Sequence, residues 1–299
     1  MPFLEPECWD KHLFQNIKCD SIIPVDDPTV WTYFPELRWT ANKLALCEIQ
    51  GIKCGPHGVY PDFWPVFSKP IMNLWGMGIG TTTIKSEKEM DDRYNPGHFW
   101  MDCLTGKHYS VDIVLLDGKP KWWAHSEAYG YFRGTFDFWE IYESKTVKLE
   151  SLFDISFLNN FSTYTGVLNL EIIGGKIIEC QPRLSPQFVP IYGNKWLTQI
   201  ASLYDKKKWT SIKTIKGYSI PLFLNNGGFP PIIDSLLVRE IKKAPEILDV
   251  QICIDNDGDI NGLANPPGGE RIAIISAKTL DEGYIAKNML MSSFLTVSA

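Results

Sequence analysis

The chain of 299 residues carries 29 Lys and Arg against 35 Asp and Glu, a formal charge of −6, with 44% hydrophobic and 21% charged residues. That length fits two domains or one elaborated domain, and the apolar content excludes intrinsic disorder as the main state. The acidic balance excludes nucleic acid as the default partner, and no apolar run reaches the ~18 to 20 residues needed to cross a bilayer.

Residues 1 to 38 hold several prolines, two tryptophans and the turn Val25-Asp26-Asp27-Pro28, and they read as an irregular lead-in or a very small lobe. From Trp39 the pattern changes. Leu44, Leu46, Cys47 and Ile49 follow Asn42-Lys43 without a breaker, which predicts a helix ending at Gly51. Pro65 to Pro70 reads as a short strand, Gly76, Gly78 and Gly80 as a loop, and Thr81 to Ile84 as a second strand. A polar helix is expected over 86–92 and a strand over Tyr109 to Leu116, with Asp117-Gly118 turning the chain toward Pro120 to Ala124.

Leu149 to Phe161 suits a helix. Val167 to Ile173 and Lys176 to Cys180, joined by Gly174-Gly175, form a hairpin. After about residue 200 the basic run Lys206-Lys207-Lys208 precedes a C-terminal module: strands over 217–224, 248–254 and 270–276, and helices over 233–243 and 279–291. The opening residues Glu5, Glu7, Asp10 and Lys11 leave no room for a basic cap and an apolar signal stretch, so a cytoplasmic location is expected. The seven scattered cysteines, with no Cys-x-x-Cys pair, read as reduced thiols.

The hairpin carries the sharpest chemical signal. Glu171 lies on its first strand and Glu179 on its second, so two carboxylates can face each other, an arrangement that suits Mg2+ shared with nucleotide phosphates. The bland alternative is a pair of solvated glutamates on an edge hairpin, against which Glu179 sits in the apolar run Ile177-Ile178-Glu179-Cys180. Lys69 precedes the glycine loop, where an ammonium and backbone N–H groups can meet phosphate, although neither a Walker nor a dinucleotide fingerprint is present. The five histidines lack zinc-hydrolase spacing, Asp255-x-Asp257-x-Asp259 lacks the glycine and closing glutamate of a calcium loop, and no Gly-x-Ser-x-Gly elbow occurs.

In chain order, Asn42-Lys43-Leu44-Ala45, Phe67-Ser68-Lys69-Pro70, Gly76 to Gly80, Leu104 to Asp112, Asn169-Leu170-Glu171 and Glu179-Cys180-Gln181-Pro182-Arg183 resemble the ATP-grasp superfamily, in the style of its carboxylate-amine ligases and carboxylases. The resemblance covers roughly residues 39 to 190 and rests on order and spacing. It implies an α+β fold in which ATP lies between two α+β lobes, here over 39–105 and 106–200, with the lead-in before them and an additional small α+β module over 201–299. It assigns Lys43 and Lys69 to the nucleotide phosphates, Gly76, Gly78 and Gly80 to the phosphate lid, and Met101, Asp102, Cys103 and Leu104 to the adenine hinge. Glu171, Glu179 and Gln181 become Mg2+ ligands. Arg183, with Lys69, becomes the catalytic pair that steadies the transferred phosphate.

The implied activity is ATP- and Mg2+-dependent activation of a small carboxylate for attack by an amine or thiol. The partners are then small molecules, with neither nucleic acid nor membrane among them and a homo-oligomer left open. Three positions depart from the family pattern. His108 stands where a ribose-binding glutamate is usual, Gln181 replaces an asparagine ligand, and fewer than forty residues stand where a full preceding domain is common. These departures favour the alternative of a catalytically silent grasp-fold protein that binds nucleotide or a partner. A third reading takes the 11 tryptophans and 12 tyrosines as carbohydrate-stacking platforms, against the ordinary role of aromatics in a core.

Overall fold

The computed structural model describes residues 11–74, 76–224, 234–253 and 266–295; the acidic turn at Asp255, Asp257 and Asp259 lies outside them. The first elements among the described residues are two short helices, α1 (Lys11–Phe14) and α2 (Asp27–Tyr33). The segment expected to be irregular therefore holds a capped helix. Asp26 accepts from the Thr29 N–H at 2.6 Å, and Pro28 sits in the first turn, where its missing N–H costs nothing. A 3-10 turn (Pro35–Ala41) leads to α3 (Lys43–Ile49). Asn42 caps it by accepting from the Ala45 N–H at 3.0 Å, and Gly51 follows it at φ 65°.

The first sheet comprises β1 (Cys54–Pro56), β2 (Val66–Pro70), β3 (Thr82–Ile84) and β4 (His98–Asp102), with α4 (Glu87–Asp92) between the last two. Its order is β1-β4-β2-β3, antiparallel throughout. β4 supplies residues to both faces, as strand geometry requires. Phe99 and Met101 bury against Cys47 and Ile52, whereas Trp100 packs with Val66, Ile84 and Met90.

The second sheet has eight antiparallel strands: β5 (His108–Leu116), β6 (Lys119–Tyr129), β7 (Phe138–Ile141), β8 (Gly166–Ile173), β9 (Lys176–Gln181), β10 (Gly217–Leu224), β11 (Ile247–Ile252) and β12 (Glu270–Ala277). Their order is β11-β12-β10-β7-β6-β5-β8-β9. Because β10 pairs with β7, the boundary drawn near residue 200 falls within one continuous sheet. α5 (Val189–Tyr192) and α6 (Asn194–Lys206) lie on one face, where Trp196, Leu197 and Ile200 join Trp122, Trp139 and Val167 in the core. On the other face Val111, Ile113, Leu168 and Leu170 meet Phe153, Phe157 and Phe161. α7 (Ser235–Ile241) and α8 (Leu280–Leu295) complete the C-terminal part.

The helix expected over 149–161 is instead two 3-10 turns, Leu149–Ser151 and Ile155–Phe161. Asp154 separates them, its side chain accepting from the Ser156 N–H at 3.0 Å, a local bond that competes with continued helix. The strand read as Pro120 to Ala124 runs on to Tyr129, and Trp122 and Trp123 bury into opposite cores. All six described cysteines are free thiols. Among the described residues no helix is long and apolar enough to cross a membrane.

The Asp117-Gly118 turn is pressed against the neighbouring loop. Gly118 has φ 70°, donates its N–H to the Tyr164 carbonyl at 2.8 Å, and a Cβ there would lie 2.5 Å from the Ser162 carbonyl oxygen. Gly118→Ala should therefore cost about 1 to 3 kcal/mol in urea unfolding, and an unchanged midpoint would contradict this packing.

Candidate active site

The β8–β9 hairpin puts Glu171 directly opposite Glu179 and Asn169 opposite Gln181. A bulge follows, because Ile172 pairs with Ile177 and leaves Ile178 without a partner in the ladder. The Ile178 carbonyl accepts from Lys69 Nζ of β2 at 3.2 Å. Lys43, the first residue of α3, forms an ion pair with Glu179. Two ammonium groups from the first sheet and its helix thus reach one strand of the second. Gln50 adds to this junction by matching the edge of β9, its amide nitrogen donating to the Ile177 carbonyl and its amide oxygen accepting from the Ile177 N–H, each at 2.7 Å.

Lys69 is only 5% exposed. Burial, and then the charge of Lys43, push its ammonium down to about 8. Burial works to raise the Glu171 carboxyl, but the hydrogen bond with His108 and the charges of His108, Lys43 and Arg183 outweigh it and hold the group below its ordinary value. His108 Nε2 lies 3.3 Å from Glu171 Oε2, with the ring edge-on to Phe136 and Trp139. The residue expected beside the ribose is thus turned toward the carboxylate pair.

Asp27, in the first turn of α2, was read only as part of a turn. Its carboxylate accepts from Arg183 Nε at 2.9 Å and from the Gln181 amide at 3.2 Å. Burial works against the Arg183 charge, and Asp27 more than compensates, raising its pKa. The Gln181 amide also donates to Glu179 at 3.2 Å, so four neighbouring residues form one chain of charge-assisted contacts. Beneath the carboxylates, buried Asp112 accepts from Asn169 at 2.9 Å and from the Tyr192 hydroxyl at 2.8 Å. Its carboxyl is raised to about 6 by burial against the lowering effect of those bonds. The only local signal at Asp27 is the Asp26-Asp27-Pro28 helix start, because its partners Gln181 and Arg183 lie far along the chain, and Asp112 reads in the sequence only as the end of the Leu104 to Asp112 motif.

Gly76, Met77, Gly78 and Gly80 all have positive φ, and Asn73 braces the loop by accepting from the Gly76 N–H at 3.2 Å. The loop abuts the tip of the β6–β7 hairpin, where a Cβ on Gly134 would sit 2.5 Å from the Met77 carbonyl oxygen. Met101 is buried beside Cys47 in the first lobe, Leu104 packs against that same cluster, Asp102 is half-buried and Cys103 is exposed. The stretch 103–107 connects the two sheets. Among the described residues no group of three His, Cys, Asp or Glu side chains is assembled to hold a metal ion.

No protein-family model and no curated protein sequence matches the chain. Solved structures do. An L-amino acid ligase from Bacillus licheniformis aligns over 95% of this chain and 82% of its own, with a TM-score of 0.63 at 13% identity. N5-carboxyaminoimidazole ribonucleotide synthetase from Thermus thermophilus aligns over 86% and 73%, with a TM-score of 0.56 at 13% identity. Carboxyaminoimidazole ribonucleotide synthase from Aspergillus clavatus, crystallised with ATP, aligns over 88% and 75%, with a TM-score of 0.57 at 10% identity. The chain has the ATP-grasp fold.

A buried cation held at about 8 is a stability cost. Lys69 binds fewer protons folded than unfolded between about 8 and its ordinary 10.5, so its penalty is complete below the lower value and fades toward the upper. Lys69→Met should raise stability to urea at pH 7 and lose that advantage by about pH 10.5. A variant less stable than wild type at pH 7, with its gap unchanged at high pH, would show that the ammonium is not strained.

Proposed function

We propose that the chain is an ATP- and Mg2+-dependent ligase that activates a small carboxylate as an acyl phosphate for attack by an amine or thiol. The observation that carries this reading is the convergence of Lys43, Lys69 and Arg183 on the register-paired Glu171 and Glu179, within an ATP-grasp fold. Lys43 and Lys69 would neutralise the phosphates. Gly76, Gly78 and Gly80 would cover them, Met101 to Leu104 would flank the adenine, and His108 would offer the ribose a single hydrogen bond in place of a carboxylate's two.

Glu171 and Glu179 are opposed hard oxygen donors of the kind Mg2+ takes, too few to fill a coordination shell without phosphate and water, and Gln181 would join them only with its amide turned over, since its nitrogen faces Glu179. Bound Mg2+ would supply charge neutralisation on the phosphate oxygens. In the first step a carboxylate oxygen attacks the γ-phosphorus and ADP leaves with the electron pair of the broken P–O bond. In the second, the amine or thiol attacks the acyl carbon, the C–O bond to phosphate breaks, and inorganic phosphate departs. Arg183 faces the charge that develops on the transferred group, and such chemistry depends on positioning and electrostatic stabilisation.

A silent nucleotide-binding protein is the second reading. It is favoured by the internal pairing of His108 with Glu171 and of Gln181 with Glu179, which satisfies the site without a ligand.

Affinity for Mg-ATP should fall as pH rises through about 8, because phosphate binds the protonated form of Lys69 and the neutral amine attracts it less. Calorimetric affinity that stays flat from about pH 7 to pH 9 would remove Lys69 from the phosphate site. In phosphate-release assays across amino acids and small carboxylates, Glu171→Gln and Glu179→Gln should each lose about 100-fold or more in turnover while keeping Mg-ATP affinity within about tenfold. Full turnover in both variants would sink the ligase mechanism. Tight Mg-ATP binding by wild type with no turnover on any acid would favour the silent protein.

A further inference from the structure

A narrow cleft, open to solvent and with about 30 Å3 of space inside it, lies between α2, the 3-10 turn Pro35–Ala41 and β9. Its floor holds Lys43 and Glu179, both largely buried, with Gln181 beside them. Its mouth holds Arg38, which is exposed. The Arg38 Nε donates to the Trp31 carbonyl at 2.7 Å, and its guanidinium lies 5.2 Å above the Trp31 ring. Those contacts fix the plane of the guanidinium and leave its terminal N–H groups free for a ligand. Among the described residues no carboxylate pairs with Arg38. Val30, Leu37 and Leu74 supply apolar wall between mouth and floor.

We propose that this cleft is a substrate subsite in which Arg38 holds a carboxylate that does not react, on a small molecule whose apolar body lies along Trp31. The proposal rests on the ligase reading for where the reacting end goes, since phosphate and metal chemistry belongs to the Lys43 and Glu179 end. A carboxylate bound at the mouth is therefore remote from the transferred phosphate. Arginine suits it because the planar fork matches a carboxylate bidentately, and the cation stacked on an indole is already oriented. α2 and the turn after it form the outer wall of the site.

Two kinds of molecule carry such a group. The acid to be activated can be a dicarboxylate, or the attacking amine can be an amino acid whose own carboxylate stays free. Saturation-transfer NMR with succinate, β-alanine and L-phenylalanine distinguishes them, with acetate as the single-carboxylate control. Parallel thermal shifts with Mg-ATP report the nucleotide site. Wild type should bind at least one probe better than acetate. Arg38→Ala should weaken that probe by about tenfold or more, Arg38→Lys should restore part of it, and the Mg-ATP shift should not change in either variant. Succinate as the preferred probe assigns the second carboxylate to the activated acid, and either amino acid assigns it to the acceptor. Equal probe affinity in wild type and Arg38→Ala overturns the proposal, as does the absence of any probe binding by protein that binds Mg-ATP. Arg38-dependent probe binding without any response to Mg-ATP keeps the anion subsite and removes the ligase reading.

Discussion

Two ammonium groups buried against one bulged strand hold the rest of the site in place. Lys43 and Lys69 come from the first lobe, and both end on β9 of the second, one on the Glu179 carboxylate and one on the Ile178 carbonyl. A buried cation without a partner costs several kcal/mol, so the arrangement is stable only while the two lobes stay together. The bulge makes the second contact possible. It removes Ile178 from the strand ladder and frees its carbonyl for a donor from the other sheet, while Gln50 closes the exposed edge beside it.

Under the proposed function, the same arrangement readies the site for a polyanion. In the free chain Lys43 pairs with Glu179 and Arg183 with Asp27, the His108 ring sits against Glu171, and Lys69 donates to the Ile178 carbonyl. Under the proposed function, phosphates take over the lysines and the cation takes over the carboxylates. The side chains then stay almost where they are and only their partners change. A pre-organised polar site of this kind avoids reorganisation at the moment of reaction. Asp112, Asn169 and Tyr192 stiffen the strands beneath it, and Asp27 ties the short N-terminal helix to Arg183.

Much of this was legible in the sequence because local chemistry and tertiary structure agree there. The Gly-Gly hairpin set the strands that oppose Glu171 and Glu179, and the unbroken apolar residues up to Gly51 gave the helix that carries Lys43. What stayed hidden depended on long-range context. β4 was missed because His98 to Asp102 gains its strand character by pairing with β1 and β2, and α6 because the lysine run after it drew attention as a boundary although it is simply the end of the helix. Leu149 to Phe161 has helical spacing, yet Asp154 interrupts it. The continuity of β10 with β7 and the contacts of Asp27 join residues far apart in the chain, which no local pattern encodes.

The most direct test is a crystal structure of the chain with Mg-ADP bound. The account predicts phosphate oxygens within hydrogen-bond distance of both Lys43 Nζ and Lys69 Nζ, a cation between Glu171 and Glu179, and the Lys43–Glu179 ion pair broken. Nucleotide bound elsewhere, with Lys43 still on Glu179 and Lys69 still on the Ile178 carbonyl, would contradict it.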